Sequence, residues 1–413
     1  MIETIVQEAE SECSKQFQAM NHIVELNQKK VLDAFKEHQI GDHHFSSTDG
    51  YGYDDLGRDQ LEALYATVFG AEDALVRPQL VSGTHAISTA LFALLHPYDE
   101  LLYITGAPYD TLEEVVGKRP TTGSMKEYLI DYNEVALKED NTVDFEGVKA
   151  AITEKTKVIG IQRSKGYADR PSFTIEEIKE MIDFVKSINP ELIVFVDNCY
   201  GEFVEEREPT EVGADIMAGS LIKNPGGGLV RSGGYIVGRQ DLVERSAYRL
   251  TAPGLGKEAG ATIQMLQEMY QGFFLAPHVV GESLKGAIYT ARLLEKIGVE
   301  TKPSSTDKRT DIIQSVVFHN EEAMIKFCEG IQANSPVNSY VAPYPSEMPG
   351  YEEKVIMAAG TFIQGASIEL SVDGPIKPPY IAFMQGGLTY AHVKIAITNT
   401  IKNLIDNNLI EVK

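Results

Sequence analysis

Tryptophan is absent from this chain, and cysteine occurs only three times in 413 residues, at Cys13, Cys199 and Cys328. Thiols so few and so far apart form no paired spacing. That excludes a disulfide framework and a cysteine zinc site, and it fits a reducing, cytoplasmic setting. Basic residues are scarce as well: 37 Lys and Arg stand against 60 Asp and Glu, a formal net charge of -23. Binding nucleic acid or an anionic membrane surface needs clustered positive charge, so neither partner is expected. No apolar run approaches the length that crosses a bilayer. The N-terminus lacks a basic start followed by a short apolar core, so no secretion signal is read there. His43 and His44, beside Asp42, form the one histidine pair, and no complete metal-ligand set accompanies them.

The chain does contain the makings of a large globular enzyme. Its 43% hydrophobic and 23% charged content is ordinary for that class, and its length supports a large domain with a smaller one. The first forty residues read as helix, with Ile23, Leu26, Val31, Leu32 and Phe35 at near-helical intervals. A helix QLEALYATVFG closes at Gly70. Strand-like runs then follow: ALVRPQLV, ELLYITG, VIGIQ, LIVFVDN and YIVG. They alternate with helical patterns such as THAISTALFALL and TIEEIKEMIDFVKSI. This alternation predicts an α/β fold whose mainly parallel sheet is covered by helices on both faces.

Near residue 276 the pattern changes to a long helix, HVVGESLKGAIYTARLLEKIG. Shorter strands SVVFHN and ASIELS follow, then a final helix TYAHVKIAITNTIKNLIDNN. The expected organisation is therefore an N-terminal helical segment over 1–50, a large α/β domain over 51–275, and a small α+β domain over 276–413. The N-terminal segment is expected to pack with the small domain.

Four local signals carry chemistry. Ser82-Gly83-Thr84, at the start of a helix pattern, would present backbone N–H groups, two hydroxyls and the positive end of a helix dipole, a setting that suits a phosphate. By itself it could equally be a helix cap. Tyr109 follows the next strand and could cover a flat cofactor ring or relay protons; a half-packed loop tyrosine is the plainer alternative. Asp197 ends a buried strand, where ligands bind in open α/β sheets, and a protonated ring nitrogen would compensate its charge. Lys223 lies in GSLIKNPGGG, in a turn where desolvation is expected to depress its pKa and make it nucleophilic. Ser220 could donate to the same phosphate, while Gly226 to Gly228 could be either a fitted loop or a flexible turn. Phosphate turn, ring-covering aromatic, strand-end aspartate and then lysine is the order found in fold-type-I pyridoxal-phosphate enzymes. Pyridoxal 5'-phosphate is the expected cofactor, and a Schiff base on Lys223 is its expected attachment.

The segments GYGYDDLGRD, RPQLVSGTHA, VFVDNCYGEF, GSLIKNPGGG and QGGLTY resemble a bacterial branch of the Cys/Met-metabolism enzymes. That branch is the aluminium-resistance or methionine γ-lyase-like family, with members described as cystathionine β-lyases. The likeness runs over nearly the whole chain and includes MPGYEEKVIMAAGTFIQGASIELS. It implies Lys223 as the Schiff-base lysine, Asp197 on the pyridine nitrogen and Tyr109 on the ring, with Ser82, Gly83, Thr84 and Ser220 on the phosphate. It also implies an amino-acid substrate and a homodimer or homotetramer with shared sites. In related lyases a Tyr-x-Arg pair reaches the phosphate from a neighbouring subunit, and Tyr53 and Arg58 are the counterparts here at a longer spacing. Arg58 could instead pair with Asp54 or Asp55. Arg163, Arg170, Arg292, Arg309 and Lys377 are the candidates for the substrate carboxylate. The expected reaction is β- or γ-elimination of a sulfur amino acid. Transamination, decarboxylation, aldol cleavage and a catalytically idle, cofactor-binding regulator are the alternatives on the same cofactor.

Overall fold

The computed structural model describes residues 2–119, 121–348 and 351–411, so Pro349 and Gly350 of the segment MPGYEEK lie outside it. Two helices, α1 (Ile2–Glu12) and α2 (Ser14–Glu37), lead into α3 (Leu56–Val68). The sequence pattern placed the start of α3 later. The Asp55 side chain decides it, accepting the Arg58 backbone N–H at 2.9 Å as an N-cap.

Alternation begins with β1 (Asp73–Arg77), α4 (Gly83–Leu94), β2 (Glu100–Tyr103), α5 (Asp110–Val116) and β3 (Asp131–Glu134). It continues through α6 (Phe145–Ala151), β4 (Thr156–Gln162), α7 (Ile175–Ile188) and β5 (Ile193–Asp197). β6 (Ile216–Ser220), β7 (Gly234–Gly238) and α8 (Gln240–Leu250) complete this part. The strands form a seven-stranded sheet in the order β1-β7-β6-β5-β4-β2-β3. Its pairings are parallel except for β7, which runs antiparallel to both β1 and β6. β4 and β5 are almost wholly buried because helices cover both faces. The β3 segment, DYNE, showed no apolar run because it is a half-exposed edge strand.

α9 (Leu266–Lys296) is longer than its sequence pattern suggested, and residue 276 falls inside it. β8 (Glu300–Lys302), β9 (Gln314–Val317), α10 (Glu321–Ala333) and β10 (Val355–Ala358) follow. The last elements are β11 (Ser371–Pro375), β12 (Ile381–Gln385) and α11 (Tyr390–Asp406). A second sheet, entirely antiparallel, has the order β10-β11-β12-β9-β8.

ASIELS is not a strand before Ser371. Its backbone is used elsewhere: the Ile368 N–H donates to the Ile222 carbonyl, and the Ile368 carbonyl accepts from Gly387. The Glu369 carboxylate accepts the N–H groups of Phe362 and Ile363. α1 reaches α11 and α9 through Glu10 to Lys394 and Glu12 to Lys296. In α2, Asn27 Nδ2 donates to the carbonyls of Phe203 and Glu205, beside the first sheet. Among the described residues, no helix is long and apolar enough to cross a membrane, and no group of three or more His, Cys, Asp or Glu is placed to hold a metal ion.

Candidate active site

β5 and β6 are adjacent and parallel, with Asp197 opposite Ala218, so Asp197 and Ser220 emerge at one edge of the sheet. β1 also runs parallel to β6, because β7 between them is antiparallel to both. The turn after β1 therefore reaches that same edge, where ligands collect in open α/β sheets. Ser82 caps α4 there, its hydroxyl oxygen accepting the His85 N–H at 3.1 Å. Gly83 lies against the ends of β5 and β6. A Cβ at this position would meet Ser220 Cβ at 3.2 Å and Cys199 Sγ at 3.3 Å.

Ser82, Gly83, Thr84, Tyr109, Asp197, Ser220 and Lys223 line one cavity of about 190 Å³. Residues from 82 to 223 thus converge on one site. Thr84 Oγ1 lies 2.8 Å from Thr111 Oγ1. Asp197 is buried and accepts the Cys199 N–H at 3.1 Å. Burial raises its carboxyl above the usual range, while Lys223 and Cys199 oppose that rise.

Lys223 Nζ sits 4.1 Å from the centroid of the Tyr200 ring. Burial alone would push this ammonium down, but Cys199, Tyr200, Asp197 and Glu202 around it reverse the direction. The net shift is upward. The depressed pKa expected from desolvation is thus corrected by the buried acidic groups that share the lysine's pocket.

The loop that follows is not a slack turn. A Cβ on Gly226 would fall 1.8 Å from the Leu221 carbonyl oxygen. Gly227, at φ +54°, would place its Cβ 2.3 Å from the Gly272 oxygen of α9. Asn224 Nδ2 also anchors the loop on the Glu202 carbonyl at 2.9 Å.

Several lining residues escaped the sequence reading, among them Gln162, Ser164, Gly166, Cys199 and Tyr200. Tyr200 lies only three residues after Asp197, and this spacing was its one visible signal. Tyr351 comes from far along the chain, its hydroxyl 2.7 Å from that of Tyr109. Tyr167 packs on the Tyr351 ring at 5.6 Å and donates its O–H to Asp373 Oδ2 at 2.8 Å. Burial pushes Asp373 up to about 6, against hydrogen bonds from Tyr167 and Gln385.

Tyr53 and Arg58 do not line this cavity. Tyr53 is exposed and stacked on Tyr51, with ring centroids 5.4 Å apart. Arg58 is buried in its own chain, donating to Asp59 and to the carbonyls of Gly52 and Gly260. Its ionic partner is therefore Asp59, whereas Asp55 receives only its backbone N–H.

None of the five carboxylate-binding candidates lines the cavity either. Arg163 is held by Asn198, Glu205, Glu208 and Thr310. Arg170 donates to the carbonyls of Gln162, Ser164 and Pro171. Arg292 pairs with Glu12 and Glu295, and Arg309 lies beside other cavities. Lys377 lines a small neighbouring cleft together with Tyr167 and Tyr351.

The Bacillus subtilis protein YnbB is 61% identical over 412 residues, covering 99% of this chain and 98% of that one. The structure of a carbon-sulfur lyase involved in aluminum resistance from Clostridium novyi superposes with a TM-score of 0.94 at 48% identity, over 98% of this chain and 96% of that one. The fold extends to the pyridoxal-5'-phosphate-dependent protein YhfS of Escherichia coli (TM-score 0.62, 18% identity, 93% and 97% covered). The family model described as methionine gamma-lyase matches residues 2–405, and the chain belongs to that family.

Proposed function

We propose that the protein is a pyridoxal-phosphate-dependent carbon–sulfur lyase acting on a sulfur amino acid of the cystathionine, methionine or cysteine type. The observation that carries this reading is the meeting of Lys223, Asp197 and the Ser82–Thr84 turn in one cavity, within a chain of the methionine gamma-lyase family. Bound pyridoxal phosphate would supply an electron-withdrawing ring that acidifies Cα and lets a β- or γ-sulfur leave.

The chain's own residues divide the remaining work. Ser82, Gly83, Thr84 and Ser220 would hold the phosphate with hydroxyls and N–H groups at the α4 N-terminus. Asp197 would hold a proton at the ring nitrogen, an ion pair that satisfies a buried carboxylate. Lys223 would secure the aldehyde end and then take the Cα proton through Nζ. Burial keeps the Tyr109 hydroxyl protonated, so it can donate to the departing sulfur with Tyr351 behind it. Among the carboxylate candidates Lys377 is favoured, since its cleft includes Tyr351, the partner of Tyr109.

A homo-oligomer in a reducing, cytoplasmic setting belongs to the same reading; the exposed Tyr53 would be available to a second subunit, and the three free thiols are buried. The test is to incubate cofactor-loaded protein with cystathionine, methionine and cysteine. Release of a thiol from cystathionine or methionine, or of hydrogen sulfide from cysteine, together with a keto acid and ammonia is expected. Amino transfer to an added keto acid, with no sulfur released, would defeat the lyase assignment. A colourless protein that takes up no pyridoxal phosphate would defeat the cofactor assignment.

A further inference from the structure

The segment from Arg163 to Phe173 has two sides. On one, Ser164 and Gly166 line the active-site cavity. The other faces a separate cavity of about 400 Å³, closed by residues 301–311. Its charged lining comprises Lys165, Arg170, Lys302, Lys308 and Arg309 against Asp169, Asp307 and Asp311. Most of these cations are already engaged. Arg170 serves backbone carbonyls, Lys302 pairs with Asp169 and Glu300, and Lys308 pairs with Glu176 and Glu205.

Lys165 and Arg309 are different. Each is only 4% exposed. Among the described residues neither forms an ion pair within 4.0 Å; Lys165 Nζ donates to the Lys302 carbonyl at 3.2 Å. Arg309 Nη2 donates to Gln314 at 2.6 Å, while its buried Nε and Nη1 have no hydrogen-bond partner. Asp311 lines the same cavity, but its oxygens accept from Ser164, Ser172 and the Ile313 N–H. Burial pulls Lys165 down to about 8, with Lys302 and Arg309 adding to that effect and Asp311 and Asp169 opposing it. These two cations thus have hydrogen-bonding capacity that the protein does not fill: Lys165 makes one hydrogen bond, and two Arg309 nitrogens make none. Buried cations persist when a counter-ion or a full set of acceptors meets them.

We propose that this second cavity binds a small oxyanion, a phosphate or a short dicarboxylate, held between Lys165 and Arg309. Its acceptor oxygens satisfy the free Arg309 nitrogens and the Lys165 ammonium by charge-assisted hydrogen bonds. The bound anion fastens residues 301–311 to the 163–173 loop. That loop also carries Tyr167 to Asp373 and Ser164 to the active-site wall.

Isothermal titration of cofactor-loaded protein with inorganic phosphate, and separately with succinate, tests this at ionic strength held constant with sodium chloride. Loading keeps the active-site phosphate cradle filled. Saturable one-site binding of at least one anion is expected, weakened at least tenfold in Lys165→Met and in Arg309→Gln. Preference between the two anions tells phosphate from dicarboxylate. If Arg309→Gln fails to fold, Lys165→Met decides, because its side chain gives up only one hydrogen bond and a distant contact over the Phe383 ring, 5.9 Å from its centroid. Binding that is unchanged in Lys165→Met, or absent for both anions in the unaltered protein, overturns the proposal.

Discussion

Lys223 shows how a residue's chemistry is set by what surrounds it. Its Nζ lies over the Tyr200 ring, and Asp197 and Glu202 help to hold its proton. Lys223→Ala is expected to lower sulfur-releasing turnover by roughly 10²–10⁴-fold and to abolish the borohydride-fixed cofactor adduct found by peptide mapping. An adduct on another lysine would move the site. Asp373 offers a second test. Its folded pKa of about 6 lies above the ordinary 3.8, so its stabilising contribution is complete below about pH 4 and is lost as pH rises through 6. In Asp373→Asn that loss disappears. The variant should gain on the unaltered protein by on the order of 3 kcal/mol between pH 4 and 7. Urea unfolding of cofactor-free protein across this range measures the gain, and a difference that does not change with pH would contradict it.

Among the elements, the loop after β6 depends most on backbone fit. Gly226 and Gly227 let it lie against Leu221 and α9, and this seat positions Lys223. Gly227→Ala combines a left-handed backbone with a Cβ 2.3 Å from the Gly272 oxygen. A loss of roughly 1–3 kcal/mol in unfolding free energy is expected, together with weaker cofactor uptake in a spectroscopic titration. Normal stability and uptake would mean that the loop can shift freely. The helix starts at Ser82 and Thr174 were legible because capping is a local interaction, whereas the Asp55 cap of α3 was missed for want of an apolar pattern at the start of that helix. ASIELS misled because its apolar alternation resembles a strand, although distant groups claim its hydrogen bonds.

For the molecule as a whole, Arg163 joins parts that are far apart in sequence. Fully buried, it connects the end of β4 to Asn198, Glu205, Glu208 and Thr310. Arg163→Met would leave the buried Glu208 without its ion-pair partner, while Glu205 keeps Lys308, at a cost of about 3–5 kcal/mol. The half-exposed pair of Arg292 with Glu12 should contribute no more than about 1 kcal/mol. Chemical unfolding of the two variants separates these magnitudes. A raised KM with unchanged stability in Arg163→Met would instead return Arg163 to the substrate carboxylate. The sequence alone determined the α/β alternation, the family, and the order of the Ser82–Thr84 turn, Tyr109, Asp197 and Lys223, because each is written in local pattern and spacing. Only tertiary structure decided that Tyr351 meets Tyr109 across 242 residues and that Tyr167 meets Asp373 across 206. The same holds for the direction of the Lys223 shift and for the two buried cations, Lys165 and Arg309, that form no close ion pair among the described residues. Burial and electrostatic partnership are properties of neighbours in space, and one-dimensional spacing does not encode them.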